Sequence, residues 1–255
     1  MKFTRILCSL ILLFSIDALS QNNDSLSYFL LKGNEAYNNF SNDLALIFFS
    51  RVFSIDSNHY EAAWKMSRAY VDIGETIKED EKRKQFYLKG KEFAELAIEI
   101  DSTGAKGYLS AAISIGRVAL DAGKKEQVRL SKEVKLMVDK SLELDPDDDI
   151  AWHVLGRWNR KMATLGWLQK RFADIFLGGI PKDASVENAK NCFIKAIELN
   201  SSSARHHLEL GITYEKLNKK NLAVHEYKIV LSLPISDADD HILKEYAQQR
   251  LEKIN

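Results

Sequence analysis

A short pattern of residues recurs along the chain, and its spacing constrains the fold more than any other feature. In its clearest copy, Leu210 and Gly211 are followed by Tyr214 and then by Ala223. An earlier copy, with the pattern Trp-x-x-Leu-Gly, covers residues 152–156. A pattern that returns about every 34 residues predicts pairs of antiparallel helices, because one pair alone cannot bury its apolar side.

The order of these residues matches the tetratricopeptide pattern, in which each repeat forms two helices. Small residues such as Gly211 and Ala223 let the helices approach closely, and Tyr214 and Tyr227 fill the adjoining holes. Aligning the chain on this pattern predicts five units. The first four units end in related turns, and the fifth unit covers Ala204 to Leu233. The four turns are Ile55 to Ser57, Ile100 to Ser102, Leu144 to Pro146 and Leu199 to Ser201.

The predicted fold class is therefore all-α, a tetratricopeptide-like α-solenoid of about five helix hairpins over residues 21–236. Units two to four exceed the standard repeat length, so we expect elongated middle helices. Glu75 to Lys91 and Lys124 to Lys140 fit this expectation by the helical spacing of their apolar residues. In unit four we expect one helix from Trp158 to Leu177 and an N-cap at Ser185 for the helix after it.

A C-terminal capping helix over residues 237–255 should close the last unit. Ile242, Tyr246 and Leu251 are the apolar residues that we expect to pack on it. A cap of this kind shields the apolar edge that a terminal repeat otherwise exposes.

The N-terminus has the composition of a secretory signal peptide. Lys2 and Arg5 precede an apolar run from Ile6 to Ile16, and Ala18-Leu19-Ser20 resembles a cleavage site. We therefore expect residues 1–20 to be removed and the chain to be exported to the periplasm or the cell envelope. A retained membrane anchor is the alternative.

Charge and cysteine content exclude several classes of function. Lys and Arg number 36, as do Asp and Glu, and this balance argues against a nucleic-acid partner bound by broad electrostatics. Cys192 is the one cysteine beyond the predicted signal. It lies in an amphipathic stretch without a neighbouring base, which indicates a buried apolar residue rather than a reactive thiol.

Two segments, Gly156-Arg157-Trp158 and Gly166 to Arg171, do not belong to the tetratricopeptide consensus. Together with Gly178 to Pro181, Ala189 to Leu199 and His207 to Tyr214, they resemble the C-terminal half of the regulator of microtubule dynamics family, here in a bacterial-type, exported form. The resemblance implies an all-helical repeat domain without catalytic residues. Eukaryotic members are linked to microtubules, and some to membranes and lipids. The motif residues that it marks as structural are Gly156, Trp158, Trp167, Gly178, Gly179, Pro181, His207, Gly211 and Tyr214.

The first helix of each tetratricopeptide repeat lines the concave face, and in this chain its exposed positions are mostly basic. Basic groups beside aromatic side chains suit an anionic peptide, such as one with a free C-terminal carboxylate. A solvated face with salt bridges to neighbouring acids is the alternative interpretation. The candidate partner-binding residues are Arg68, Arg117, Arg157, Arg160, Lys161, Arg205, Lys216, Trp64 and His153.

The sequence contains no catalytic, metal-binding or cofactor-binding motif that we recognise. The run Asp145 to Asp149 has acids where a calcium loop needs them, but Ile150 replaces the required glycine, so we interpret the run as a repeat turn. His206 and His207 diverge by about 100° on a helix and cannot easily bind one metal ion.

We therefore predict a non-catalytic protein-protein interaction scaffold that binds a protein or an anionic peptide in the concave groove. The alternative is lipid or membrane-surface binding through the amphipathic helix expected over residues 158–177. Packing of that helix on neighbouring repeats is the simpler interpretation of its apolar stripe. The sequence leaves the oligomeric state open.

Overall fold

The computed structural model describes residues 24–166, residue 171 and residues 184–254. All regular secondary structure in these ranges is helical. The chain divides after Asp101 into a first and a second compact unit. The predicted signal peptide lies outside the described residues, as do Trp167, Gly178, Gly179 and Pro181. The predictions about these residues stay predictions.

The first unit forms two helix pairs over its described residues, 24–101. Its helices are α1 over residues 24–38, α2 (Asn42–Ile55), α3 (Tyr60–Thr76) and α4 (Asp80–Ile100). Gly33 of α1 faces the ring of Phe49 on α2, and Gly74 of α3 faces the ring of Tyr87 on α4. Between the two helices of the second pair, Tyr70 also stacks on Phe93 with 5.5 Å between ring centroids. Aromatic side chains therefore close both pairs of this unit.

The described residues of the second unit, 102–166, 171 and 184–254, form three further helix pairs and a final helix. Its helices are α5 (Ala105–Val118), α6 (Lys124–Leu144), α7 (Asp149–Ala163), α8 (Val186–Leu199), α9 (Ala204–Lys216), α10 (Lys220–Ser232) and α11 (Asp240–Ile254). The pairs are α5 with α6, α7 with α8, and α9 with α10, and the first helices of successive pairs also contact one another. The prediction of an all-α, tetratricopeptide-like fold with five hairpins is confirmed.

Glycine on the first helix makes room for an aromatic ring on the second. A Cβ atom at Gly156 would lie 2.7 Å from the ring of Phe193, and one at Gly211 would lie 2.5 Å from the ring of Tyr227. Both rings are fully buried. Since real Cβ atoms do not approach other atoms so closely, any side chain at these glycines would push the two helices apart.

The middle helices are elongated, as predicted. α4 and α6 have 21 residues each, whereas α2 has 14 and α10 has 13. The predicted helix over Glu75 to Lys91 is interrupted, however, because α3 ends at Thr76 and α4 begins at Asp80. None of the helices described is both long and apolar enough to cross a membrane.

The expectation of one helix from Trp158 to Leu177 is wrong within the described residues. α7 ends at Ala163, and Leu165 and Gly166 are not helical. Thr164 follows the last residue of the helix, and its hydroxyl donates a hydrogen bond of 2.8 Å to the carbonyl of Arg160. Threonine and glycine are both weak helix formers, so two of the three residues after α7 favour its end. The predicted N-cap at Ser185 is confirmed by a 3.0 Å hydrogen bond from the amide of Asn188.

Of the three residues expected to pack the capping helix α11 on the last pair, Leu251 does so, whereas Ile242 and Tyr246 do not. Ala247 and Leu251 are buried against α9 and α10, whereas Ile242 is 66% exposed and Tyr246 is also exposed. Asp240 begins the helix and accepts hydrogen bonds from the amides of residues 236 and 237, at 2.7 and 2.9 Å. This start fixes the phase of the helix, and the positions three or four residues apart that face the last pair are then 243, 247 and 251.

An ion pair joins α11 to α9. Arg250 of α11 donates two hydrogen bonds to Glu215 of α9, at 2.9 and 2.8 Å, and the Tyr227 hydroxyl donates to the same carboxylate at 2.5 Å. The cap therefore contacts both helices of the last pair through apolar and charged groups.

Replacing Gly211 with Ala should destabilise the protein by about 1–3 kcal/mol, because the new methyl group meets the Tyr227 ring. Gly116→Ala is the matched control, since its Cβ would have 3.9 Å to the nearest atom and alanine gains about 1 kcal/mol of helix propensity over glycine. Urea unfolding should show a lower midpoint for Gly211→Ala and an equal or higher one for Gly116→Ala. Equal shifts in both variants would contradict the close-packing explanation.

Leu251→Ala should lower the free energy of unfolding by about 2 kcal/mol or more, because it leaves a cavity between α11 and the last helix pair. Ile242→Ala, on the exposed side of the same helix, should change it by about 0.5 kcal/mol or less. Thermal unfolding of both variants followed by circular dichroism measures the difference. A larger effect of Ile242→Ala would restore the original prediction for the cap.

Candidate anion-binding surface

The first helices of the second unit bring five of the predicted basic residues together. Because α5 contacts α7 and α7 contacts α9, side chains on the same side of these helices are neighbours. The charges of these residues act on one another, and three of the others lower the pKa of Arg157. We call this group the cation surface; its members are Arg117 of α5, Arg157, Arg160 and Lys161 of α7, and Arg205 of α9.

Arg160 is held inside the protein. Its Nη1 atom donates to the carbonyl of Glu209 at 2.8 Å and to the hydroxyl of Thr213 at 2.9 Å, and its Nη2 atom donates to the Glu209 carboxylate. The guanidinium also lies over the Phe193 ring, 5.4 Å from its centroid. Only 15% of the side chain is exposed. Arg160 therefore joins α7, α8 and α9 and is not available to a partner.

Arg205 is also paired within the chain. Its Nη2 atom lies 3.2 Å from Asp237 and 3.1 Å from Asp239, in the loop before α11. These ion pairs tie the first turn of α9 to the start of the cap. The alternative interpretation of the basic face, salt bridges to neighbouring acids, is therefore correct for Arg160 and Arg205.

Arg157 remains accessible. Its side chain is 45% exposed, and its contact with a carboxylate is a loose one, 3.4 Å from Nε to Glu209. Burial lowers the pKa of Arg157, Glu209 raises it, and the charges of Arg117, Arg160 and Arg205 lower it again. Arg157 is therefore a half-exposed cation among other cations of the same face.

Lys161 shares this environment. It is exposed, and burial together with the charge of Arg157 lowers its pKa. No acid of the described residues forms a salt bridge with it. Arg157 and Lys161 lie one helical turn apart and are thus the two members of the cation surface best placed to bind an external anion.

Two histidines lie buried beneath the cation surface. Nδ1 of His153 on α7 is 3.0 Å from Nδ1 of His206 on α9, and Nε2 of His206 is 2.8 Å from the carboxylate of Asp149. Asn200 donates a further hydrogen bond of 3.0 Å to the same carboxylate oxygen. His153 contacts the edge of the Phe193 ring, with 5.6 Å between centroids. Since His153 is buried, it supports the surface from below and does not form its exposed part.

The other candidate residues lie elsewhere. Arg68 and Trp64 belong to α3 of the first unit, where Lys65 lies 5.2 Å above the Trp64 ring. Lys216 is exposed at the last turn of α9. The role of these three residues in binding stays a prediction.

The carboxylates of the acidic turn before α7 contact other groups of the chain. Asp148 accepts hydrogen bonds from the amides of residues 150 and 151 and pairs with Lys106 of α5 at 2.6 Å. Asp149 is engaged with His206, as described above. Within the described part of the chain, no three His, Cys, Asp or Glu side chains are grouped to hold a metal ion.

Two of the family-motif residues, Trp158 and His207, form hydrogen bonds to other helices or turns of the chain. Trp158 donates a 2.7 Å hydrogen bond from its indole to the carbonyl of Ser131, which fixes α7 on α6. His207 contacts Glu226 at 2.7 Å and the carbonyl of Ser201 at 3.1 Å. Cys192 is buried, and burial raises its pKa to about 11, so it is not a reactive thiol under ordinary conditions.

Sequence reasoning missed Glu209, which neutralises Arg160 and approaches Arg157. It also missed the pairing of His153 with His206, which lie in different repeats. An acid at an inward position of α9, opposite basic residues of α7, was the available signal for Glu209. The histidine pair had no local signal, because its two members are 53 residues apart.

A family model described as regulator of microtubule dynamics protein 1-3 matches residues 29–255. The chain belongs to this family. Regulator of microtubule dynamics protein 3 of Bos taurus is 30% identical over 187 residues, which are 73% of this chain and 40% of that protein. Protein 1 of Rattus norvegicus is 30% identical over 190 residues, which are 74% of this chain and 61% of that protein. The chain thus spans about two fifths of the length of the protein 3 relatives.

Solved structures support the fold alone. A thermophilic TPR protein of Thermus thermophilus aligns with a TM-score of 0.66 at 14% identity, over 88% of this chain and 99% of its own. Pseudomonas aeruginosa pilF aligns with a TM-score of 0.55 at 14% identity, over 91% of this chain and 86% of its own. Both likenesses agree with the tetratricopeptide-like helix pairs described above.

Arg160→Met should reduce the free energy of unfolding by about 2–3 kcal/mol, because it leaves the nearly buried Glu209 carboxylate without its main partner. Lys161→Met, on the next residue, should change it by about 0.5 kcal/mol or less. Urea titrations of the two variants separate the structural cation from the accessible one. If both variants were equally stable, the structural role of Arg160 would be wrong.

Proposed function

We propose that the chain is a non-catalytic protein-interaction scaffold whose cation surface binds an anionic segment of a partner protein. The observation that carries this proposal is the difference between the paired and the accessible cations. Arg160 and Arg205 are neutralised by acids of the chain, whereas Arg157 is loosely paired and Lys161 has no described counter-ion. Two accessible cations one helical turn apart favour binding of carboxylates.

The arrangement of the site suits an extended peptide. The first helices α5, α7 and α9 lie next to one another, and Arg157 and Lys161 lie one turn apart on the middle one. An extended acidic segment can place one carboxylate on Arg157 and a second on Lys161. The names of the relatives attribute regulation of microtubule dynamics to those proteins, and a binding scaffold is the part of such a role that this surface supports.

The place of action rests on the sequence alone. With the signal peptide predicted over residues 1–20, we propose that the scaffold works after export, in the periplasm or at the cell envelope. No cofactor enters the proposal, and the oligomeric state is left open.

Lipid binding is the competing proposal. It rested on one amphipathic helix over residues 158–177, but α7 ends at Ala163. The remainder of that segment lies outside the described residues, so a binding experiment has to include lipid.

Arg157→Ala/Lys161→Ala should weaken binding of acidic peptides at least tenfold, because it removes two charge-assisted contacts worth about 1.5–3 kcal/mol each. A library of acidic peptides and their Gln- and Asn-substituted counterparts, screened against the full chain by fluorescence anisotropy, provides the ligands. Lys220→Ala/Lys228→Ala removes the same charge from exposed positions of α10 and serves as the control.

Binding that the control keeps and the Arg157/Lys161 variant loses supports the proposal. Equal binding by both variants, or equal binding of neutral peptides, would rule it out. Co-sedimentation with vesicles of anionic phospholipid, in the absence of any peptide binding, would instead support lipid binding as the function.

A further inference from the structure

The geometry around the buried histidines fixes where their protons lie. Burial raises the pKa of Asp149, but hydrogen bonds from His206 and Asn200 outweigh this and keep the pKa below its usual value. Asp149 is therefore a carboxylate and can only accept, so Nε2 of His206 carries a proton. The 3.0 Å contact between the two Nδ1 atoms needs one further proton between the rings. With both rings neutral, His153 donates to His206, and Nε2 of His153 has a free lone pair.

One additional proton can enter this array without breaking it. It binds Nε2 of His153, the bridging proton moves onto His206, and the positive charge then lies beside the carboxylate of Asp149. This protonation costs free energy, because it leaves the N–H at Nε2 of His153 buried without a hydrogen-bond acceptor among the described residues. A second additional proton would place hydrogens on both facing Nδ1 atoms and break the contact between α7 and α9.

The surroundings of the pair are dominated by the cation surface. Burial, followed by the charges of His206, Arg157, Arg205 and Arg160, holds the pKa of His153 well below its usual value. α8 contributes the uncharged Phe193 to the same region. The charged groups that face the pair or its neighbours are Asp149, Arg157 and Arg160 on α7, Arg205 and Glu209 on α9, Arg117 on α5, and Asp237 and Asp239 before α11.

We propose that the His153–His206 pair couples proton uptake to anion binding on the cation surface, so that an acidic partner binds more tightly at acidic pH. The inference rests on the function proposed above. An anion beside Arg157 and Lys161 offsets the positive potential that opposes protonation of the pair. Because linkage is reciprocal, the proton strengthens anion binding by the same factor by which the anion strengthens proton binding.

The test measures the affinity of the full chain for an acidic peptide as a function of pH. The probe is an aspartate-rich, fluorescently labelled peptide, whose carboxylates keep about nine tenths of their charge down to about pH 5. Because the pKa of His153 lies well below its usual value, we expect a constant affinity near pH 7 and a rise between about pH 6 and about pH 5, of at most about fivefold. Calorimetry in two buffers of different ionisation enthalpy should detect proton uptake on binding by the unaltered chain.

Each of two variants removes one ring of the pair and keeps one hydrogen bond. The amide of His153→Asn can replace Nδ1 and donate to His206, and the amide of His206→Gln can replace Nε2 and donate to Asp149. Both variants should bind the peptide with a reduced dependence on pH, and the double variant, which has neither ring, should lose it. His225→Asn, on the exposed side of α10, is the control and should keep it. Circular dichroism checks the fold; should one variant not fold, the other variant and the calorimetry decide.

The possible outcomes separate the inference from the function on which it rests. Peptide binding without any pH dependence in the unaltered chain, or with full dependence in both histidine variants, overturns the inference and leaves the proposed function intact. Absence of peptide binding at either pH overturns the proposed function, and the inference fails with it.

Discussion

The close contact between a glycine on one helix and an aromatic ring on the next is the constraint on which the rest of the second unit depends. Gly156 allows the ring of Phe193 to lie between α7 and α8. The same ring then lies beneath the guanidinium of Arg160 and against the edge of His153. The buried ring of Phe193 therefore both closes the helix pair and supports the cation surface from below.

Internal neutralisation decides which cations of this face remain available. Many exposed positions on the first helices are basic. Glu209, Asp237 and Asp239 neutralise part of this charge, and their ion pairs join α7 to α9 and α9 to the loop before α11. The cations that stay accessible are Arg157 and Lys161 on α7. They are the part of the face to which the proposed acidic partner would bind.

The fold was predictable because its signals are local and recur. Most copies of the repeat contain their own glycine, their own aromatic residue and their own turn, so the helix pairs follow from the sequence. The phase of α11 was not predictable from apolar spacing, because Ile242 and Leu251 both fit a helix and only the start at Asp240 shows which one is buried. The basic face was predictable by position, whereas its neutralisation was not, because the acids come from other parts of the chain.

The turn between α6 and α7 contacts both of its neighbouring helix pairs. Asp148 is tied to Lys106 at the beginning of α5, and Asp149 is tied to His206 near the beginning of α9. In an array whose repeats touch only through apolar surfaces, single pairs can open one at a time. Here the opening of α7 would separate a carboxylate from its partner on each side. The three pairs of the second unit should therefore exchange their amide hydrogens as one cooperative block rather than from the ends inward.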